Sequence, residues 1–232
     1  MKDYILLIES ATDSCSVALA LNGNIVAEKY INQPKAHASL LAKFIEELLV
    51  ENGISVKDCS AVAVSKGPGS YTGLRVGVSC AKGLCYGANK PLISVCTLAT
   101  IAQLAIDNNL YSGNGSYLIV PMIDARRMEV YTATFSSKGD QLSQVEAKVL
   151  DENSFAEELA KGAILFTGNG AEKFKPLVEG NPNAFFAQQE LHANGMRVIA
   201  CNKLSGKEFE DVAYFEPFYL KDFVAGKPKK LL

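Results

Sequence analysis

The segment Lys66-Gly67-Pro68-Gly69-Ser70-Tyr71-Thr72-Gly73-Leu74-Arg75-Val76-Gly77 constrains this chain more than any other. The apolar, β-branched run Ala61-Val62-Ala63-Val64-Ser65 before it reads as a buried strand. Val76, Val78, Ala81, Leu84, Cys85 and Tyr86 come after it with the length of a helix. The Gly-Pro-Gly piece is therefore a strand-to-helix elbow. Gly67 and Gly69 allow positive φ or close backbone approach, Pro68 stiffens the turn between them, and Ser70 is placed to cap the helix.

A helix N-terminus at the end of a strand is also a place to hold an anion. The spacing here matches neither phosphate-binding fingerprint, because no Lys-Ser/Thr pair follows the last glycine and Gly69 to Gly73 is too long. Pro68 also removes one N–H that a phosphate cradle would use. A tight structural turn and a phosphate loop both remain open, with the turn favoured. Inside the helix, Gly73, Gly77 and Gly83 each cost about 1 kcal/mol against alanine. Gly73, Gly77 and Ala81 fall at i, i+4 and i+8 and form one stripe of small residues. The stripe either sits on the sheet or admits a second helix.

Around this elbow the chain reads as α/β. Tyr4–Ile8 is a strand, Cys15–Leu21 a second, and Asn22-Gly23 a hairpin turn into a third at Ile25–Ile31. In actin-like and sugar-kinase-like domains, which open this way, the first turn meets phosphate. Asp13 stands there, although a carboxylate in such a turn is ordinarily just a turn former. A helix over 38–51 presents Leu40, Leu41, Phe44, Ile45, Leu48 and Leu49 as an apolar face broader than one sheet requires. A strand at 91–95 and a helix at 97–108 come next. The polar loop Tyr111–Ser116 is the best internal boundary. Beyond it, strands are expected at 117–123, 129–135 and 145–150, and a helix at 154–161. A strand at 164–167 leads into a second elbow, Gly168-Asn169-Gly170, and a helix is expected at 192–204. This division gives one half over 1–110, a second over 111–204 and a tail over 205–232.

Composition closes off several function classes. The net charge of −2 offers no electrostatic footprint for nucleic acid, and only Lys221, Lys227, Lys229 and Lys230 make the tail locally basic. No apolar run reaches membrane-spanning length, and Met1-Lys2-Asp3-Tyr4 lacks a signal-peptide core, so a cytoplasmic protein without membrane contact is expected. The six cysteines form no C-x-x-C pair and are expected to be reduced core residues. His37 and His192 lie far apart, so no metal site is expected.

Four segments together resemble the bacterial TsaB (YeaZ) family. They are Ile8-Glu9-Ser10-Ala11-Thr12, the elbow Lys66–Gly77, Asp124-Ala125-Arg126-Arg127-Met128-Glu129-Val130-Tyr131 and Glu216-Pro217-Phe218-Tyr219-Leu220-Lys221. The likeness runs along essentially the whole chain. The elbow is shared with the sister family TsaD, while the Asp-Ala-Arg-Arg segment and the length point to TsaB.

The resemblance implies an ASKHA fold (acetate and sugar kinase, Hsp70, actin) and a non-catalytic subunit of the machinery that places threonylcarbamoyl on N6 of the adenosine following the tRNA anticodon. The implied partners are the transferase TsaD, the ATPase TsaE and, when TsaD is absent, a second copy of the chain. Pairing is implied through the first two helices of the N-terminal half. Leu41, Phe44, Ile45, Leu48, Gly73, Arg75, Gly77 and Ala81 are therefore the expected interface. Transfer RNA would be met only through the complex. No cofactor is expected in the isolated chain, and ATP or ADP would enter only with TsaD and TsaE.

In the sister transferase the strand after the elbow helix leads into two metal-binding histidines four residues apart. Carried across, those positions are Thr97 and Ile101, and isoleucine cannot coordinate a metal. Asp124, Arg126, Arg127 and Glu129 are left as a charged strand-end motif, suited to an internal ion pair or an interface contact. Two other readings compete with the scaffold. One is an independent nucleotide-dependent phosphotransferase using Asp13 and the elbow. The other is a metallopeptidase, which the missing ligands disfavour.

Overall fold

Two sheets carry the fold of this computed structural model, which describes residues 3–34 and 36–221. Lys227, Lys229 and Lys230 lie outside the described residues. The first sheet contains β1 (Tyr4–Glu9), β2 (Ser14–Leu21), β3 (Asn24–Asn32), β4 (Cys59–Gly67) and β5 (Leu92–Cys96), in the order β3-β2-β1-β4-β5. β1 runs antiparallel to β2, with Leu6 opposite Leu19, and parallel to β4, with Leu6 opposite Val62. The β2–β3 hairpin turns at Asn22 and Gly23, both at positive φ (49° and 80°), as Asn-Gly predicts.

The second sheet contains β6 (Tyr117–Asp124), β7 (Glu129–Thr132), β9 (Glu146–Val149), β10 (Ala163–Thr167) and β11 (Ala184–Ala187), in the order β11-β10-β6-β7-β9. The two-residue β8 (Phe135–Ser136) pairs with β6 off this path. Each half opens with an antiparallel meander, β1-β2-β3 in one and β6-β7-β9 in the other. Two later strands, β4 and β5 or β10 and β11, then add parallel to the first strand of the meander. The same connectivity is thus built twice. This duplicated arrangement is the ASKHA fold.

The helices seal the sheets. α1 (His37–Glu51) and α2 (Tyr71–Ala88) cover one face of the first sheet, where Leu41, Ile45, Leu48, Val78, Ala81 and Cys85 pack over Leu6, Ile8, Val62 and Val64. Each large apolar side chain buried there contributes about 1.5–3 kcal/mol. α3 (Thr97–Asp107) follows β5 yet packs on the second sheet, placing Leu98, Ile101, Ala102 and Ala105 against Ile119, Ile123, Phe135 and Leu165. In return, the segment after β11 covers the other face of the first sheet. Ala193 and Met196, in a 3-10 turn, and Ala200, in α5 (Arg197–Gly206), meet Ile5, Leu7, Ala63 and Ile93. The short α4 (Ala156–Lys161) and an edge-to-face cluster of Phe155, Phe166 and Phe174 close the far side of the second sheet.

Several expectations need correction. The expected strand 129–135 breaks at Ala133-Thr134 into β7 and β8. The helix expected from His192 begins as a 3-10 turn and becomes α-helical only at Arg197. β11, spelled Ala-Phe-Phe-Ala, is too short to carry a periodic signal in the sequence.

The expected interface is corrected most. Leu41, Ile45, Leu48, Gly73, Gly77 and Ala81 are buried in the chain's own core. A Cβ on Gly73 would stand 2.1 Å from the Ser10 carbonyl oxygen, and one on Gly77 would stand 2.1 Å from Ser10 Oγ. The stripe lets α2 lie directly on the end of β1. Of the eight residues, only Phe44, half-buried, and Arg75, exposed, reach the surface.

Candidate functional site

The two halves meet along a cleft of about 620 Å³ whose walls repeat the same parts. From the first half come the turn after β1 (Ala11, Thr12, Asp13) and the elbow after β4 (Pro68 to Thr72). From the second half come the turn after β6 (Asp124, Ala125, Arg126) and the elbow after β10 (Asn169). The tail supplies Phe218 to Lys221. Its size would admit a small ligand. The chemistry depends on the walls.

The first elbow is built tightly. The Gly67–Pro68 peptide is cis and Gly67 has φ +109°. A Cβ on Gly69 would lie 2.2 Å from the Ala11 carbonyl oxygen, which also accepts from Ser70 N at 2.6 Å. Ser70 Oγ accepts from Gly73 N at 3.3 Å, so the expected N-cap is present and α2 begins at Tyr71. Lys66 contributes its carbonyl to Phe218 N at 2.7 Å. Tyr71 carries the Arg75 guanidinium over its ring at 4.1 Å, while Thr72 is exposed on the first turn. The elbow's first task is to seat α2 against the β1 turn.

The second elbow leads somewhere different. Gly168, at φ +95°, and Gly170 press on Met122 and Asp124 backbone atoms. Two short 3-10 turns, Ala171–Lys173 and Lys175–Val178, come next, where a strand-to-helix elbow leads one to expect a helix. The aligned peptide dipoles of a long helix N-terminus are therefore missing on this side.

Lys173, which no motif singles out, organises the strand-end segment. Its Nζ lies 2.5 Å from Asp124 Oδ1 and donates to the carbonyls of Arg127 at 2.8 Å and Glu129 at 2.7 Å. Asp124 also accepts from Arg126 N at 2.6 Å. Arg126 and Arg127 take positive φ in the turn, with side chains exposed, so the ion pair of Asp124 is with lysine rather than with either arginine. Glu129 pairs with Lys221 of the tail. The signal for Lys173 lies in three-dimensional proximity alone, 49 residues from Asp124.

Beneath the first elbow lies Glu9, fully buried at the end of β1. Its Oε1 accepts from Ala11 N at 2.7 Å, while Oε2 and the buried hydroxyls of Ser10 and Thr97 have no partner among the described residues. Burial pushes the Glu9 carboxyl up to about 7, against the opposing pull of the Ala11 backbone, the Ser65 side chain and the Ser10 backbone. Thr97 and Ile101, the two positions carried over from the sister transferase, are core residues at the start of α3. All six cysteines are unpaired, and burial raises their thiols, Cys85 to about 12, which makes them inert.

Comparison with known proteins agrees with this architecture. A family model described as "TsaD: tRNA N6-adenosine threonylcarbamoyltransferase" matches residues 24–227. The tRNA threonylcarbamoyladenosine biosynthesis protein TsaB of Escherichia coli K12 is 33% identical over 230 residues, 96% of each chain. Its counterpart in Bacillus subtilis 168 is 33% identical over 181 residues, 75% of each. Among solved structures, YeaZ from Pseudomonas aeruginosa superposes with a TM-score of 0.79 at 25% identity, covering 94% of this chain and all of that one. The chain belongs to the TsaB (YeaZ) family, whose place is in tRNA threonylcarbamoyladenosine biosynthesis.

Proposed function

We propose that this chain is a non-catalytic subunit that pairs with the transferase TsaD, and through that pair supports recruitment of the ATPase TsaE and threonylcarbamoyl transfer to tRNA. The observation that carries the reading is the outer side of α2. Thr72, Arg75, Ser79, Gly83 and Tyr86 recur every three or four residues and are all exposed, Tyr86 to 87%. Half-buried Val76, Cys80 and Leu84 flank them, and Leu40 and Phe44 of α1 pack on the same core. A helix that keeps a large aromatic and small residues uncovered offers a surface for another helix to approach. In this reading the interface is the side of α2 opposite the glycine stripe. The same surface serves a second copy of the chain when TsaD is absent, and tRNA is engaged only by the assembled complex.

The walls of the cleft support a chain that needs no nucleotide of its own. The second elbow leads into two short 3-10 turns rather than a long helix, and Lys173 already neutralises Asp124. ATP or ADP then enters only with TsaD and TsaE.

Gly83→Arg tests the pairing. Among the described residues nothing stands within 4 Å of a Cβ built at Gly83, so the fold tolerates the side chain. The variant should melt like the parent, yet fail to co-elute with TsaD and fail to support tRNA modification in a reconstituted system. Retention of both would refute this use of α2. Calorimetry with ATP and Mg²⁺ on the isolated chain separates the phosphotransferase reading, which requires tight binding and hydrolysis without partners.

A further inference from the structure

The tail after α5 crosses the molecule from one half to the other. Glu210 N donates to Leu92 O at 2.9 Å at the edge of β5, and Ser94 Oγ donates to Glu210 Oε1 at 2.5 Å. Lys82 of α2 then holds two tail carbonyls, Ala213 at 3.1 Å and Phe215 at 2.8 Å. At the elbow, Phe218 N donates to Lys66 O, and the Phe218 carbonyl oxygen sits 2.7 Å from where a Gly67 Cβ would be. The Tyr219 ring lies 4.7 Å from that of Tyr71, and Tyr219 also packs on the α3 core. Up to this point every polar contact named is to the first half. Lys221 then pairs with Glu129 on β7, in the second half.

We propose that residues 210–221 act as a clasp. Anchored along the first half, the segment crosses the cleft wall and closes on the second half through Lys221 and Glu129, and this pair sets the opening of the cleft. The anchors are main-chain hydrogen bonds and packed rings, so they hold the segment in place whatever the latch does. The latch is of another kind. It is a half-exposed lysine on a carboxylate whose side chain is 20% exposed. A pair of that kind biases an equilibrium by about fivefold at most, so it regulates an opening rather than locking it. Gly67 is required twice over, for its positive φ and for the room that the clasp takes above it.

The test measures the distance between the two halves in the full chain. Spin labels are attached through non-canonical amino acids at Lys57 and Lys161, which are both exposed and lie in different halves. The parent chain should give one narrow distance distribution. Lys221→Glu, which sets two carboxylates against each other, should lengthen and broaden it, and Lys221→Glu with Glu129→Lys should restore it. Rising salt on the unmutated chain should move the distribution in the same direction as Lys221→Glu, because screening weakens the latch. The salt titration uses the unmutated chain and so does not depend on any variant folding. A distribution indifferent to Lys221→Glu and to salt would overturn the clasp, as would failure of the reversed pair to restore it.

Discussion

At residue scale the most consequential group is Glu9, a carboxyl placed where water cannot reach. Its pKa stands near 7 in the fold, against 4.5 for an ordinary glutamate. Below about pH 4.5 folded and unfolded chains both carry the proton. Between 4.5 and 7 the unfolded chain releases it and the fold retains it, so rising pH favours unfolding, and above 7 the effect is complete. The span corresponds to about 3 kcal/mol. Glu9→Gln keeps an acceptor for Ala11 N without the titration. Denaturant midpoints across that window should therefore fall with pH in the parent and stay flatter in the variant. A parallel pH dependence in both would show that Glu9 is not the titrating group. The glycines of α2 make a second comparison. Gly73→Ala must move the Ser10 carbonyl and should lose about 1–3 kcal/mol, whereas Gly83→Ala meets none of the described residues and should gain up to about 1 kcal/mol from helix propensity. Thermal melts of the pair read the face of α2 directly.

At the scale of elements, the two halves show how one connectivity supports different local outcomes. After β4 the elbow enters an 18-residue helix, and after β10 it enters a three-residue turn. The glycines that bend the chain are legible in the sequence in both places. The element beyond the second bend is not, because Ala171-Glu172-Lys173-Phe174-Lys175-Pro176 lacks a periodic apolar face and Pro176 would break an α-helix continuing from Ala171. The second half compensates with Lys173, which ties the β6–β7 turn to the base of the elbow. Lys173→Met keeps the aliphatic stem while releasing Asp124 and two carbonyls. It should cost about 1–3 kcal/mol. Faster hydrogen exchange confined to residues 124–129 would be its signature. Unchanged exchange there would mean that the turn holds itself.

At the scale of the whole molecule the halves are interlocked rather than merely joined. α3 leaves the first sheet to seal the second, and the segment 193–206 returns to seal the first. A fragment ending at residue 110 therefore lacks the cover over Ile5, Leu7, Ala63 and Ile93. It should remain unfolded by circular dichroism until a chain piece containing 191–206 is supplied. A fragment that folds alone would contradict the interlock. What the sequence determined by itself was local in origin: the Asn-Gly hairpin, the α1 stripe, the strand-elbow-helix unit and its serine cap all arise from spacing and backbone preference within a few residues. The family motifs were legible for the same reason, as short contiguous strings. The direction in which a stripe faces is not local. Gly73, Gly77 and Ala81 suit either a sheet or a second helix, and the end of β1, some 60 residues away, decided for the sheet. Lys173 beside Asp124, Lys221 beside Glu129 and α5 beneath β1 likewise arise from long-range packing, whose partners only the tertiary structure brings together.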